Sequence, residues 1–214
     1  EAFLDDFLID RLEVTASQYA ACVSAGACTY GGSITSNLRT YGKEGRENYP
    51  INYVNWEEAA AYCIWQNKTL PTEAQWEKAA RGPDARKYPW GNQPEVGCDY
   101  ASTQLDVPDE ATCDDGGIMA VGSKPLGKSI YGAEDMIGNV WEWTQDFYDA
   151  GYYQQAPETR WNNPENLTVS SKRSLRGGGY GNSASYYFRA STRNGEEPDR
   201  RVGTYGFRCA ESAP

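Results

Sequence analysis

Three stretches in the N-terminal half of the chain combine apolar residues at helical spacing with the polar residues that begin helices. Thr15 is expected to cap a first helix, because its hydroxyl can accept a hydrogen bond from a free amide of the first turn. Asn55 is expected to cap a second helix, and Glu58, three residues later, completes a capping box. Thr72 and Gln75 repeat that arrangement and predict the start of a third helix.

The apolar spacing also predicts which residues these helices bury. The first helix is predicted over Ala16–Ser24 and ends at Gly26, since glycine favours the left-handed conformation that follows helix ends. The inward face of the second helix is predicted to consist of Trp56, Ala59, Ala60, Cys63 and Ile64. The inward face of the third is predicted to consist of Trp76, Ala79 and Ala80.

The rest of the chain predicts short strands separated by irregular loops. The apolar run 7–14 predicts a strand, whereas the polar, glycine-rich stretch 29–48 has no periodicity and predicts a loop. After Gly82 the helical spacing disappears, and the best strand candidates there are Arg173–Gly177 and Gly206–Cys209. The chain is therefore predicted to be one loop-rich α+β domain over residues 1–214, with its helices in the N-terminal half.

Charge and composition exclude several classes of function. The chain has 30 acidic and 20 basic residues, and its net charge of −10 opposes binding to nucleic acid or to an anionic membrane surface. No apolar run approaches the roughly 18 residues of a spanning helix, so no insertion into a membrane is predicted. The absence of histidine excludes a Ser-His-Asp or Cys-His nucleophile and any histidine-ligated metal. Any chemistry has to come from cysteine, carboxylates, tyrosine, lysine or a bound cofactor.

The six cysteines predict an oxidising compartment. They are Cys22, Cys28, Cys63, Cys98, Cys113 and Cys209, and no Cys-x-x-Cys motif occurs. Three disulfides are the simplest interpretation, with a location outside the cell or in the periplasm. Cysteine arithmetic alone leaves the pairing open.

Six motifs follow one another in a fixed order: Pro50-Ile-Asn-Tyr-Val-Asn-Trp, Leu70-Pro-Thr-Glu-Ala-Gln-Trp-Glu, Tyr88-Pro-Trp-Gly-Asn, Asp135-Met-Ile-Gly-Asn-Val-Trp-Glu-Trp, Leu175-Arg-Gly-Gly and Gly206-Phe-Arg-Cys. Together they resemble the formylglycine-generating enzyme, or sulfatase-modifying factor, family over nearly the whole chain. The resemblance implies that family's variant of the C-type lectin fold. Because a fold does not establish a function, the site requires its own argument.

The resemblance implies where a copper centre would lie. Formylglycine-generating enzymes bind copper and activate oxygen with two cysteines that follow a Gly-Gly-Ser-Tyr motif. In this chain Gly179 replaces the serine, and Asn182 and Tyr187 stand about where the two cysteines should be, in a slightly shorter segment. An amide and a phenol cannot replace the soft thiolate ligands of Cu(I). The expectation is therefore no copper and no formylglycine-generating activity.

The resemblance also implies a disulfide pattern. Cys63 and Cys209 match a family disulfide between the second helix and the last strand. A second family disulfide is replaced at both ends by alanine, at Ala79 and Ala190. The remaining cysteines are then left as the local pairs Cys22–Cys28 and Cys98–Cys113.

The resemblance also implies two calcium sites, since members of the family hold calcium in two places. Calcium takes six to eight hard oxygen ligands, which carboxylates and irregular backbone can supply. The residues of the first are Asp135, Gly138, Val140 and Glu142. Those of the second are Ser102, which departs from the family's asparagine, Thr103, Asp115 and Gly117. A structural alternative for the first site is that Glu142 pairs with an arginine beneath the Trp-Glu-Trp turn.

The stretch that replaces the copper site is dense in the residue types of recognition surfaces, which combine rigid aromatic area with short hydrogen-bonding groups. The candidate ligand-binding residues are Tyr180, Asn182, Ser183, Ser185, Tyr186, Tyr187, Arg189, Arg193 and Asn194, with Trp141 lining the pocket left by the missing cysteines. The alternative is an ordinary tyrosine-rich loop over the core. Arg176 and Arg208 are expected to pair with carboxylates such as Glu73 or Glu77.

These observations favour a non-catalytic domain that binds protein, peptide or glycan through the 180–194 segment. Such a domain can be the variable protein of a diversity-generating retroelement, whose members resemble this fold, or a sensor module fused to a kinase. It is expected to be a monomer or one module of a larger chain. The alternative is a metal-dependent oxidase or hydroxylase that uses carboxylates and Tyr187 around a metal.

Overall fold

A computed structural model describes residues 2–104, 117–155 and 161–213. The described residues contain three α-helices, which are α1 (Ala16–Ser24), α2 (Trp56–Trp65) and α3 (Glu73–Arg81). Each begins with a complete capping box, in which the side chain of Thr15, Asn55 or Thr72 accepts a hydrogen bond from the amide three residues later. The three predicted helix starts are therefore confirmed.

The described strands are short. They are β1 (Ala2–Phe3), β2 (Phe7–Ile9), β3 (Trp141–Phe147), β4 (Trp161–Asn162), β5 (Arg173–Arg176), β6 (Arg193–Glu196), β7 (Tyr205–Gly206) and β8 (Ala210–Ser212). Four of them form the main sheet in the order β6-β5-β3-β7, in which β3 runs antiparallel to β5 and parallel to β7. The other four form two small sheets, β1-β4 and β2-β8. The turn from β5 to β6 carries the 180–192 segment on one end of the main sheet.

Both strands predicted at the chain ends are shorter than expected. Only Phe7–Ile9 of the run 7–14 forms a strand, and of the stretch 206–209 only Gly206 does, at the end of β7. The two extended segments nevertheless bond to each other, since the amides of Asp10 and Val14 donate to the carbonyls of Cys209 and Phe207. Irregular spacing of these bonds prevents a continuous ladder.

The inward face of α2 differs from the prediction at one position. Ala59 and Cys63 are buried, but Ile64 is 67% exposed, and Tyr62 is buried instead. Trp56 and Ala60 are half-buried. The buried face of α2 therefore consists of Ala59, Tyr62 and Cys63, and Ile64 faces solvent near the end of the helix. The prediction for α3 is confirmed, because Trp76, Ala79 and Ala80 are all buried.

Two disulfides lie within the described residues, Cys22–Cys28 and Cys63–Cys209, and both match the expected pairing. Cys98 is also disulfide-bonded, and its expected partner, Cys113, lies outside the described residues. Ala79 and Ala190 are buried in one apolar cluster with Trp76, Ala80, Ala133 and Met136. Packing thus occupies the place where the resemblance sets a second disulfide of the family. Among the described helices, none has both the length and the apolar character that crossing a membrane requires.

Candidate functional site

A single 3₁₀ turn, Ser185–Phe188, lies at the centre of the predicted recognition segment. Phe188 is fully buried and anchors the turn on the core. The turn is closed on itself, because the Thr192 hydroxyl donates to the Tyr186 carbonyl at 2.6 Å and the Thr192 amide donates to the Arg189 carbonyl at 2.8 Å. The side chains that leave this turn are therefore carried by a fixed backbone.

Asn182 occupies one of the two positions that the resemblance assigns to copper thiolates. Its side-chain oxygen accepts hydrogen bonds from the Gly179 amide and from the Trp141 indole nitrogen, each at 2.9 Å. Its backbone carbonyl accepts from the Gln104 amide at 3.2 Å. Asn182 therefore holds the glycine-rich turn and Trp141 together and has a structural function at the base of the segment.

Tyr187 occupies the other position and belongs to a row of three aromatic rings. Its ring meets Trp141 edge-on at a centroid distance of 6.0 Å and lies 4.2 Å from the ring of Tyr186. Trp141 is buried and Tyr187 is half-buried, whereas Tyr186 is 57% exposed. The row therefore leads from the core to solvent and supports Tyr186 from below.

Four of the predicted contact residues are exposed together on this segment: Ser183, Ser185, Tyr186 and Arg189. They supply two hydroxyls, an aromatic ring and a guanidinium. This combination of a rigid ring with small adaptable donors and acceptors is typical of recognition surfaces.

Three other predicted contact residues have structural roles instead. Tyr180 is only 4% exposed, and burial raises the pKa of its phenol. Arg193 forms a two-bond ion pair with Glu73, with both N···O distances at 2.7 Å, and its guanidinium lies over the ring of Tyr153. The Asn194 side chain accepts a hydrogen bond from the next amide in its own strand. Residue type alone could not separate these positions from the exposed ones.

The two remaining arginines lie in buried ion pairs, but only one has the expected partner. Arg176 binds Glu77 at 2.5 Å and approaches Glu73 at 3.8 Å, as the sequence suggested. Arg208 binds Glu142 instead, through two bonds of 2.7 Å each. The expectation that Arg208 pairs with Glu73 or Glu77 is therefore wrong, whereas the alternative in which Glu142 pairs with an arginine beneath the Trp-Glu-Trp turn is confirmed.

The first predicted calcium site is centred on this second ion pair. The Trp76 indole also donates to Glu142, at 2.8 Å, so both oxygens of that carboxylate are engaged. Asp135 accepts from the Gly122 amide at 2.6 Å, and burial raises its pKa. The loop does supply hard oxygens of the kind calcium prefers, from Asp135 and from backbone carbonyls. Calcium at this loop stays a prediction, and the Glu142 carboxylate already forms an ion pair with Arg208.

Glu13 is a third carboxylate in this region and was not predicted from the sequence. It is 1% exposed and accepts from the Asn139 side chain at 2.7 Å and from the Val140 amide at 3.2 Å. Burial, together with Asp135 and Glu142, raises its pKa well above the ordinary value. No sequence pattern indicated that Glu13 is buried and hydrogen-bonded, because its partners Asn139 and Val140 lie 126 and 127 residues further along the chain.

Part of the second predicted calcium site can be described. The Ser102 hydroxyl donates to the Gly117 carbonyl at 2.8 Å, and Thr103 is buried beside it. Asp115 lies outside the described residues. Among the side chains that the structure describes, no three His, Cys, Asp or Glu groups form a metal cluster.

Asp146 is a further buried carboxylate without a sequence signal. It accepts hydrogen bonds from the backbone amides of Glu73, at 2.6 Å, and Asn166, at 2.8 Å, and so ties β3 to the start of α3. Burial raises the pKa of Asp146 to about 7, although the two amides oppose the shift.

This shift predicts a pH dependence of stability. Because the folded state holds the Asp146 proton more tightly than the unfolded state, its contribution is present below about pH 4 and is lost as the pH rises to about 7. The upper bound of the loss is about 4 kcal/mol, since one pKa unit is about 1.4 kcal/mol. In urea titrations between these pH values, Asp146→Asn is expected to flatten the slope of stability with pH, and the exposed Asp6→Asn is the control. Equal slopes in the native chain and both variants would contradict the assignment.

Comparisons with known proteins identify the family of this chain. The family described as "Sulfatase-modifying factor enzyme 1-like domain" matches residues 1–213. This chain belongs to that family. The sequence-based recognition of the family is therefore confirmed over nearly the whole chain.

The similar proteins include both active and inactive members of the sulfatase-modifying factor family. The chain is 37% identical over 174 residues to a formylglycine-generating enzyme of Streptomyces coelicolor, covering 79% of this chain and 54% of the relative. It is also 37% identical over 172 residues to an inactive C-alpha-formylglycine-generating enzyme 2 of Bos taurus, covering 77% and 51%. The chain thus spans about half the length of the curated relatives it matches.

A solved structure supports the fold. The Treponema denticola variable protein 1 superposes with a TM-score of 0.74 at 23% identity, covering 99% of this chain and 86% of that one. At that identity the likeness concerns the fold alone, and the predicted C-type-lectin-like α+β class is confirmed.

Proposed function

We propose that this domain is a non-catalytic ligand-binding member of the sulfatase-modifying factor family. The observation that carries the proposal is the pair of hydrogen bonds to the Asn182 side-chain oxygen from Gly179 and Trp141, each 2.9 Å long. This amide stands where the resemblance places a copper thiolate, and it locks the turn beneath the segment. The exposed residues of that segment then form a surface and not a reaction centre.

The state of the cysteines supports the same proposal. Every described cysteine is disulfide-bonded, so the described residues offer no thiolate for Cu(I) or for oxygen chemistry. The ligand surface consists of Ser183, Ser185, Tyr186 and Arg189, and is called the 183–189 surface below. Its ligand is a protein, peptide or glycan outside the cell or in the periplasm, a location with which the disulfides are consistent.

The broader setting of the domain follows from its fold and its relatives. A variable protein has the same fold, and one relative that is similar in sequence is named as an inactive enzyme. Together they support a binding role. A relative in Chlamydia pneumoniae is a serine/threonine-protein kinase, of which this chain matches 25% of the length. Both settings, a variable binding protein and a sensor module, fit the proposal, with calcium bracing the loops near Asp135.

The non-catalytic half of the proposal predicts no copper chemistry. In a Cu(I) titration against a chromophoric competitor, the native chain is expected to show no stoichiometric binding, because hard amide and phenol groups are poor Cu(I) ligands. The Streptomyces coelicolor relative is the positive control, and an oxygen electrode follows any turnover. Retention of one copper per chain, with oxygen uptake that disappears in Tyr187→Phe, would instead establish a metal-dependent oxidase.

A further inference from the structure

The two largest exposed side chains of the 183–189 surface are Tyr186 and Arg189. No carboxylate of the described residues pairs with the Arg189 guanidinium, although the chain carries an excess of acidic residues. Arg189 is also the only charged residue between Gly177 and Thr192. A cation without an acidic partner among the described residues, on a segment with no other charge, indicates a function beyond solubility.

Tyr186 and Arg189 are held in one rigid unit. Arg189 is the C-cap of the 3₁₀ turn that contains Tyr186, so the two residues belong to one short backbone unit. The two bonds from Thr192 close that turn, and Tyr187 supports the Tyr186 ring at 4.2 Å. A ligand therefore meets a ring and a guanidinium whose backbones are already fixed, which reduces the entropy lost on binding.

We propose that Tyr186 and Arg189 bind an acidic peptide segment of a protein partner, with Arg189 pairing one carboxylate and Tyr186 packing on a neighbouring apolar side chain. This inference rests on the proposed binding function and specifies its ligand. One guanidinium matches one carboxylate through two parallel hydrogen bonds, a geometry that a lysine cannot reproduce. The field of a chain with net charge −10 repels polyanions such as nucleic acid or sulfated glycans, so the proposed segment presents a single carboxylate at the contact and not a run of them.

A protein partner suits this pair better than a glycan. Tyrosine and arginine are, with tryptophan, the residues most enriched among those that dominate binding energy at protein interfaces, where they lie at the desolvated centre of the contact. Ser183 and Ser185 flank that centre with small hydroxyls, as the polar rim of such an interface requires. The 183–189 surface therefore has the composition of a small protein-binding centre.

The test is selection from a phage-displayed library of random short peptides on the native chain. The selected peptides are expected to carry Asp or Glu beside an apolar or aromatic residue. Arg189→Gln is expected to weaken their binding at least about tenfold, as for other interface centres. Arg189→Lys is expected to keep only part of the native affinity. Lys172→Gln is the matched control, since Lys172 is exposed and lies at the far end of β5 from the turn.

A double-mutant cycle shows whether the charges meet. Replacing the peptide's carboxylate by its amide should weaken binding to the native chain but not to Arg189→Gln, because the second change removes an interaction already lost. Raising the salt from about 50 mM to about 500 mM should likewise weaken only the native complex.

The outcomes separate this inference from the proposed function. Neutral or basic peptides, or peptides that bind Arg189→Gln as well as the native chain, overturn the acidic-peptide site. If Tyr186→Ala still abolishes their binding, the proposed function stands. Peptides that bind every variant equally overturn both. If the library yields no binder, the acidic-peptide site is overturned. The proposed function then stands if the native chain binds a glycan and Tyr186→Ala does not.

Discussion

Replacing Arg208 with methionine is expected to lower the free energy of unfolding by about 3–5 kcal/mol, because it leaves buried carboxylates without their counter-charge. The guanidinium is fully buried and binds Glu142 through two bonds of 2.7 Å. It also donates to the carbonyls of Asp10, Arg11 and Glu134 at 2.8–3.1 Å. One side chain thus joins the first strand region, the Asp135 loop and β3.

The partner variant Glu142→Gln is expected to cost less than Arg208→Met. With Glu142 replaced by glutamine, the Arg208 guanidinium keeps its bonds to the carbonyls of Asp10, Arg11 and Glu134, whereas loss of Arg208 leaves the Glu142 carboxylate buried without a counter-charge. Urea-induced unfolding of both variants measures the difference. Lys87→Met is the control for removing a cation from a surface ion pair, since Lys87 is half-buried and pairs with the exposed Glu95, and a change of less than about 1 kcal/mol is expected. Equal losses in Arg208→Met and Lys87→Met, or a larger loss in Glu142→Gln, would contradict the charge arrangement.

Replacing all four residues of the 183–189 surface by alanine is expected to remove ligand binding without reducing stability. Truncating one dominant tyrosine or arginine of an interface costs about 2 kcal/mol or more, so losing both should weaken binding more than about a hundredfold. Stability should be kept, because Phe188 still anchors the turn and Asn182 still bonds to Gly179 and Trp141. Surface substitutions away from such contacts usually change stability by less than about 0.5 kcal/mol.

A second surface provides the matched control for this variant. Leu167, Val169 and Lys172 are exposed and lie before β5, at the opposite end of that strand from the 183–189 surface. Their replacement by alanine removes comparable apolar area and one positive charge. Binding by this control variant at the native level would assign the loss to the 183–189 surface and not to a change in overall charge.

The helix starts could be predicted because their causes are local. Thr15, Asn55 and Thr72 each cap a helix through a residue only three positions away, so the sequence contains both partners. The loop-rich remainder could be recognised from turn residues and from the ordered motifs of the family. The strands at the chain ends could not be bounded, since their hydrogen bonds depend on segments almost 200 residues apart, such as Asp10 and Cys209.

The candidate site shows where sequence reasoning fails. Residue type placed Tyr180, Arg193 and Tyr186 in one recognition set, yet only Tyr186 is exposed. What separates them is tertiary: Glu73 at the start of α3 captures Arg193, and neighbouring apolar residues cover Tyr180. The sequence suggested that an arginine pairs with Glu142 but could not identify it as Arg208, because the choice between Glu142 and the acids of α3 depends on which elements face each other.

The measurement that tests the central claim most directly is ligand binding by three purified proteins side by side. The native chain, the variant with alanine at the four positions of the 183–189 surface and the 167–172 control are each screened with the peptide library and a glycan array. The account predicts ligands that bind the native chain and the control but not the 183–189 variant. Ligands that bind all three proteins equally would contradict it, because the surface that replaces the copper site would then have no part in recognition.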